Sequence, residues 1–163
     1  MKKVYHIMLC MVFVICLAGC KKSPEATAVT TGLSFTAEIN YNDTEIICDI
    51  VLDNKGKGVY TVVSPKQVKD FSYVFNGEDV QVNYKELTYH MHQTPYINPF
   101  YIINSAFETL RKNEDTPILN DKLYIFSGET EYGKFKFTTT KNGLPINAEF
   151  EDMNVLFKNI SIH

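Results

Sequence analysis

From Leu33 onward the chain alternates apolar and polar residues with a period of two. Phe35, Ala37, Ile39 and Tyr41 interleave with Ser34, Thr36, Glu38 and Asn40, the pattern of a strand that buries one face and wets the other. The pattern recurs. Residues 45–52, 59–63, 72–75, 80–83 and 84–89 read as further strands, separated by Asn42-Asp43, by the run from Asp53 to Gly58, by Ser64-Pro65 and by Asn76-Gly77. Asn, Asp and Gly tolerate positive φ, and Asn-Gly marks a hairpin. Residues 68–71 read as a short helical turn or loop. Late in the chain, residues 122–127, 130–139, 146–151 and 154–160 resume the strands, with turns at Gly128, at residues 141–145 and at residues 152–154. In the last of these, Val155 and Phe157 are expected on one side, with Leu156, Lys158 and Ile160 on the other. Regular strand–turn–strand spacing predicts an antiparallel meander.

The period changes once. Asn98 is a good helix cap and Pro99 suits a first helical position. Phe100, Ile103, Phe107 and Leu110 then recur at spacings of three, four and three, which predicts one apolar helix face ending near Lys112. A sheet with one apolar face needs a cover, and this helix is the expected one. The expected class is therefore α+β, mostly β: a curved antiparallel sheet with a covering helix. Phe100, Ile103, Phe107 and Leu110 are the candidate ligand-binding residues, because an apolar face set against a concave sheet would line a cavity as readily as it packs a core. Phe and Tyr together supply 21 residues and Trp none, which suits either arrangement.

Several functions are disfavoured. The 163-residue chain carries a net charge of −3, and a mildly acidic domain is a poor partner for nucleic acid, which recruits clustered Lys and Arg. Of the four cysteines, Cys10, Cys16 and Cys20 lie in the first twenty residues. Cys48 alone remains, in a strand beside Ile46, Ile50 and Leu52, where it reads as a small buried thiol rather than half of a disulfide. His90 and His92 would share a strand face, but no third or fourth ligand completes a metal site, and none is assigned. Glu129 and Glu131 would share a face as a hydrolase pair would, yet solvated strand charges are far commoner. No phosphate-binding glycine loop or nucleophile elbow occurs. No catalytic residue and no cofactor is assigned.

The first twenty residues have a different character. Lys2 and Lys3 precede an apolar run from Val4 to Leu17, and Ala18-Gly19 supply small residues before Cys20. A basic start, an apolar middle of roughly 7–15 residues and a small-residue cleavage site make a secretory signal. The run is short of the roughly 20 residues a spanning helix needs. Leu17-Ala18-Gly19-Cys20 resembles the processing site of bacterial lipoproteins. That resemblance implies a thioether from Cys20 to diacylglycerol and cleavage before it. Two acyl chains satisfy the two-anchor requirement for stable attachment. The expected organisation is a signal over residues 1–19, lipidated Cys20 and a flexible tether over residues 20–31, and one domain over residues 32–163. The expected location is the cell membrane, anchored by lipid on its extracytoplasmic side.

The order of elements resembles the LolA/LolB-like family of bacterial lipoprotein-carrier folds. The resemblance rests on the meander, on Ser64-Pro65 closing a strand, on Phe71, Phe75-Asn76-Gly77 and Val80 with Tyr84 and Leu87, on the central helix, and on the late hairpin from Gly143-Leu144-Pro145 into Ile146 and Phe150. It covers about Leu33 to His163 and does not extend to the longer first helix of LolA-type carriers. No role is carried over to Arg111, the chain's only arginine. The resemblance implies a half-barrel plugged on its concave face, with an apolar cavity that carries or senses acyl chains. It equally implies an alternative: a non-enzymatic module that holds or activates a cell-envelope or spore-cortex enzyme, as germination lipoproteins of this fold do. The expected partners are thus the membrane through Cys20, an acyl-chain ligand, or an envelope protein.

Overall fold

The computed structural model describes residues 28–55, 57–77, 79–91, 98–112 and 117–163. The signal, Cys20, the tether up to residue 27 and His92 lie outside the described residues. Eleven strands form one sheet in the order β6-β5-β4-β3-β2-β1-β11-β10-β9-β8-β7. They are β1 (Leu33–Tyr41), β2 (Thr44–Leu52), β3 (Gly58–Ser64), β4 (Ser72–Asn76), β5 (Asp79–Tyr84), β6 (Leu87–Met91), β7 (Ile118–Asn120), β8 (Leu123–Thr130), β9 (Gly133–Thr139), β10 (Pro145–Phe150) and β11 (Met153–Ile162). Every neighbouring pair is antiparallel. The chain runs outward from β1 to β6, passes through helix α1 (Pro99–Lys112), and returns from β7 inward to β11. The sheet is thus an open, curved half-barrel with α1 against its inner face.

The alternation foreseen in β1 is met: Leu33, Phe35, Ala37 and Ile39 are buried, and Ser34, Thr36 and Glu38 are half-buried on the other face. On that outer face the Thr36 hydroxyl donates to Asp49 Oδ1 at 2.9 Å, and Lys158 Nζ meets Glu38 Oε1 at 2.6 Å. Asn42 and Asp43 take φ of 47° and 60°, so the first hairpin uses the two residues best able to be left-handed. The domain's contacts begin before β1. Val29 is buried, and the Thr30 N–H donates to the Gly143 carbonyl at 3.0 Å.

Four sequence expectations are corrected. Residues 84–89 do not make one strand: β5 turns into β6 at Lys85, whose φ is 53°. Residues 130–139 divide at Glu131-Tyr132, so Glu129 sits on β8 and Glu131 in a turn, and the two share no strand face. Gly128 is not a turn. It lies within β8 opposite Phe135, and a Cβ there would come within 2.5 Å of the Phe135 ring, so the glycine makes room for that side chain. Ile160 does not stay on the outer side. A bulge at Asn159 (φ 53°) shifts the β1–β11 register between Ser34 and Thr36 and turns Ile160 toward the core.

Thr139 is a core position whose chemistry looks misplaced. It pairs with Tyr124 and Pro145, is 0% exposed, and its hydroxyl has no hydrogen-bond partner among the described residues. An unmet buried hydroxyl costs stability that an isosteric methyl restores. Thr139→Val is therefore expected to gain about 1 kcal/mol in urea unfolding; a loss of that size would show that the hydroxyl is bonded after all.

Candidate apolar-ligand site on the inner face

Helix α1 starts as its sequence dictates. Asn98 Oδ1 accepts the N–H groups of Phe100 at 3.0 Å and Tyr101 at 3.1 Å, meeting two donors that the first turn leaves open. All four candidate residues lie inside: Phe100 is 5% exposed, Ile103 and Phe107 0%, and Leu110 4%. Burial is broader than one face, however. Tyr101, Ile102, Asn104 and Ala106 are buried as well. A narrow amphipathic stripe underestimates a helix held within a curved sheet, which meets protein on more than one side.

The structure sends the candidates to two aromatic groups. Phe107 lies 5.9 Å from Phe35, 5.1 Å from Phe137 and 5.9 Å from Phe157, ring centre to ring centre, and so joins β1, β9 and β11. Phe35 meets Phe157 edge-on at 5.2 Å, and Phe137 meets Phe157 at 5.4 Å, which closes a four-ring cluster. Phe100 instead lies 4.8 Å from Tyr73 and 6.0 Å from Tyr60, on β4 and β3. The tilted and edge-on geometries are those that aromatic quadrupoles favour. The helix thus joins the two halves of the sheet through side chains seven residues apart.

Close approach of the helix to β3 depends on Gly58. A Cβ there would stand 2.8 Å from the Tyr60 ring and 2.9 Å from Asn104 Oδ1. In that space the Tyr60 hydroxyl donates to Asn104 Oδ1 at 3.3 Å, and Asn104 Nδ2 reaches Glu108 Oε1 at 3.5 Å. Tyr60 is fully buried, and burial pushes its hydroxyl well above the ordinary tyrosine pKa. This polar spine, running from β3 along α1, was not legible in the sequence: only the spacing of Asn104 and Glu108 hinted at it.

The other candidates separate. His90 is exposed on β6, and among the described residues no three His, Cys, Asp or Glu side chains converge for a metal. Cys48 is 0% exposed and its thiol is raised from 9.0 to about 12, first by burial and then by the neighbouring Asp49 charge. A neutral, buried thiol is a packing group and not a nucleophile. No described helix is long and apolar enough to cross a membrane.

The class defined by this geometry is α+β, mostly β: an open antiparallel half-barrel with one helix on its inner face. Solved structures superpose on it. An uncharacterised conserved protein from Thermus thermophilus superposes with a TM-score of 0.55 at 7% identity, over 83% of this chain and 81% of that one. The LolA superfamily protein NE2245 from Nitrosomonas europaea superposes with a TM-score of 0.47 at 10% identity, over 83% of this chain and 89% of that one. No protein-family profile and no curated protein matches the chain.

Proposed function

We propose that this chain is a membrane-anchored cell-envelope lipoprotein that binds an acyl chain or another apolar ligand for transport or sensing. The observation that carries the reading is the helix–sheet interface. An open half-barrel holds one helix on its inner face, and the surface between them is built from Phe100, Ile103, Phe107, Leu110 and the rings they meet. An acyl chain entering there must part these packed side chains, and it then gains the burial of its own surface, at about 25 cal/mol per Å². The anchor is the diacylglyceryl thioether on Cys20, on the extracytoplasmic side, and the chemistry asks for no cofactor and no catalytic group.

Two measurements test it. Native mass spectrometry of residues 21–163, purified without detergent from a bacterial cytoplasm, is expected to show a retained species of lipid mass. A clean apo mass that stays apo after incubation with membrane lipid extract overturns the ligand. Cys20→Ser is expected to abolish incorporation of a fatty-acid label and release the protein from membranes; normal labelling overturns the anchor.

A second reading has its own support. The outermost strands expose large apolar side chains: Leu87 at 72% and Tyr89 at 67% on β6, Ile118 at 66% and Leu119 at 53% on β7. Edge strands with apolar side chains are natural places for another chain to add. An interaction module that holds an envelope enzyme would use those edges, and cross-linking from β6 and β7 in intact cells is the experiment that separates it from a ligand carrier.

A further inference from the structure

The C-terminal end of α1 meets the β2–β3 and β4–β5 turns, and between them lies a cleft of about 430 Å³. Lys55, Lys57, Arg111 and Lys112 line it, with Asp53 and Glu108. Both acids are engaged. Asp53 Oδ1 accepts the backbone N–H groups of Lys55 at 2.8 Å and Lys57 at 2.7 Å, which shapes the turn. Glu108 stands 3.5 Å from Lys112 Nζ and takes a bond from Asn104 at 3.5 Å.

Arg111 is different. Its Nε and Nη2 are both buried, and neither makes a hydrogen bond among the described residues. The ordinary reason for basic residues in a last helical turn is to complement the helix dipole. Lys112, with its side chain 79% exposed, does that without leaving water. Arg111 does not need burial for it. Withdrawing guanidinium N–H groups from water without an acceptor is costly, and structures keep such groups where a partner completes them. Nε and Nη2 form one edge of the guanidinium, the edge that grips an oxyanion with two parallel N–H bonds.

We propose that this cleft is an anion site for a phosphate-type group, gripped by the Arg111 edge and flanked by Lys55, Lys57 and Lys112. Those lysines and Asn76 are exposed, and the Arg111 side chain turns its buried Nε–Nη2 edge into the cleft as the anion enters. Phosphate oxygens match the fork, and among the described lining residues four cations stand against two acids. The group has two sources, a free phosphate or the headgroup of an acidic lipid. Leu110, buried one residue before Arg111, places the site beside the apolar helix face.

The test uses the full chain in dodecyl maltoside micelles, and its first arm varies only inorganic phosphate at constant detergent, so it stands or falls apart from the acyl-chain reading. Inorganic phosphate, added at constant ionic strength, is expected to raise the Tm of the wild type. Arg111→Gln is expected to weaken phosphate at least about tenfold, since a charged bond is lost, with partial rescue by Arg111→Lys. The double variant Lys55→Gln, Lys57→Gln alters only exposed turn side chains, and it is expected to weaken phosphate while leaving unfolding without phosphate unchanged. It decides the matter if Arg111→Gln does not fold. In the second arm, native mass spectrometry compares phosphatidylglycerol with phosphatidylcholine of the same acyl chains. Arg111-dependent retention of the acidic lipid assigns the headgroup, and equal retention with phosphate binding intact assigns a free phosphate. Absence of both effects, or binding indifferent to Arg111 and to the two lysines, overturns the site.

Discussion

Replacing Phe107 with alanine is expected to cost about 3–5 kcal/mol, the range for an aromatic deleted from a tight core. The ring is 0% exposed and lies between Phe35, Phe137 and Phe157. No single neighbour can refill the space, because each is itself fixed by another ring of the cluster. The loss also falls where the helix ties β1 and β11 to β9, so the sheet's middle loses its brace. A domain of this size holds a total of about 5–15 kcal/mol, so the variant is expected to lose a large fraction of its stability and to unfold at markedly lower urea. Phe100→Ala should cost less, since that ring is 5% exposed and packs against Tyr60 and Tyr73 at one side of the sheet. Urea unfolding of the two variants measures the difference. A Phe107→Ala loss below about 1.5 kcal/mol would mean that the surroundings collapse into the gap.

The second large effect is alkaline. Below pH 9 the Cys48 thiol is protonated in both the folded and unfolded chain, and it does not affect the balance. Between its unfolded value of 9.0 and its folded value of about 12, the unfolded chain releases a proton that the folded chain keeps. Stability is thus fully present below pH 9 and is lost as pH rises toward 12. The loss is about 1 kcal/mol from pH 9 to 10 and on the order of 4 kcal/mol by pH 12. Tyr60, also raised by burial, adds a loss of the same sign above pH 10. Urea midpoints of the wild type should therefore fall from pH 8.5 to 10 more steeply than those of Cys48→Ala. Parallel slopes would show that the thiol is not held neutral by the fold.

Strands with strict alternation and turns built from Asn, Asp and Gly were legible in the sequence, as were the Asn98 cap and the helix face behind it. The misses share a cause. Lys85 and Asn159 adopt left-handed backbone at φ of 53° each, and nothing in a lysine announces a turn. Gly128 misled in the opposite sense: its small size serves the Phe135 ring, a partner known only once β8 and β9 are paired. β7 is three exposed residues, too short to establish a period. The candidate face could be placed because periodicity reports which side of a helix is apolar. Which ring each residue meets depends on strands far away in the chain. Arg111 was given no role for the same reason: the turns that help form its cleft, at residues 53, 55, 57, 76 and 77, belong to another part of the chain.

The seam between β1 and β11 has a consequence for how the molecule comes into being. The first and last of the eleven strands are neighbours at the sheet's centre, in register from Leu33–Ile162 to Tyr41–Met153 across the bulge. During synthesis β1 to β6 emerge as one meander whose innermost edge has no mate until β11 is delivered. Two unfinished half-sheets, each with an open apolar-faced edge, must wait for one late pairing of very large sequence separation. Such closures are slow, and waiting edges are prone to join other chains. A folding chain of this design therefore gains from a helper that shields β1 until β11 has paired with it.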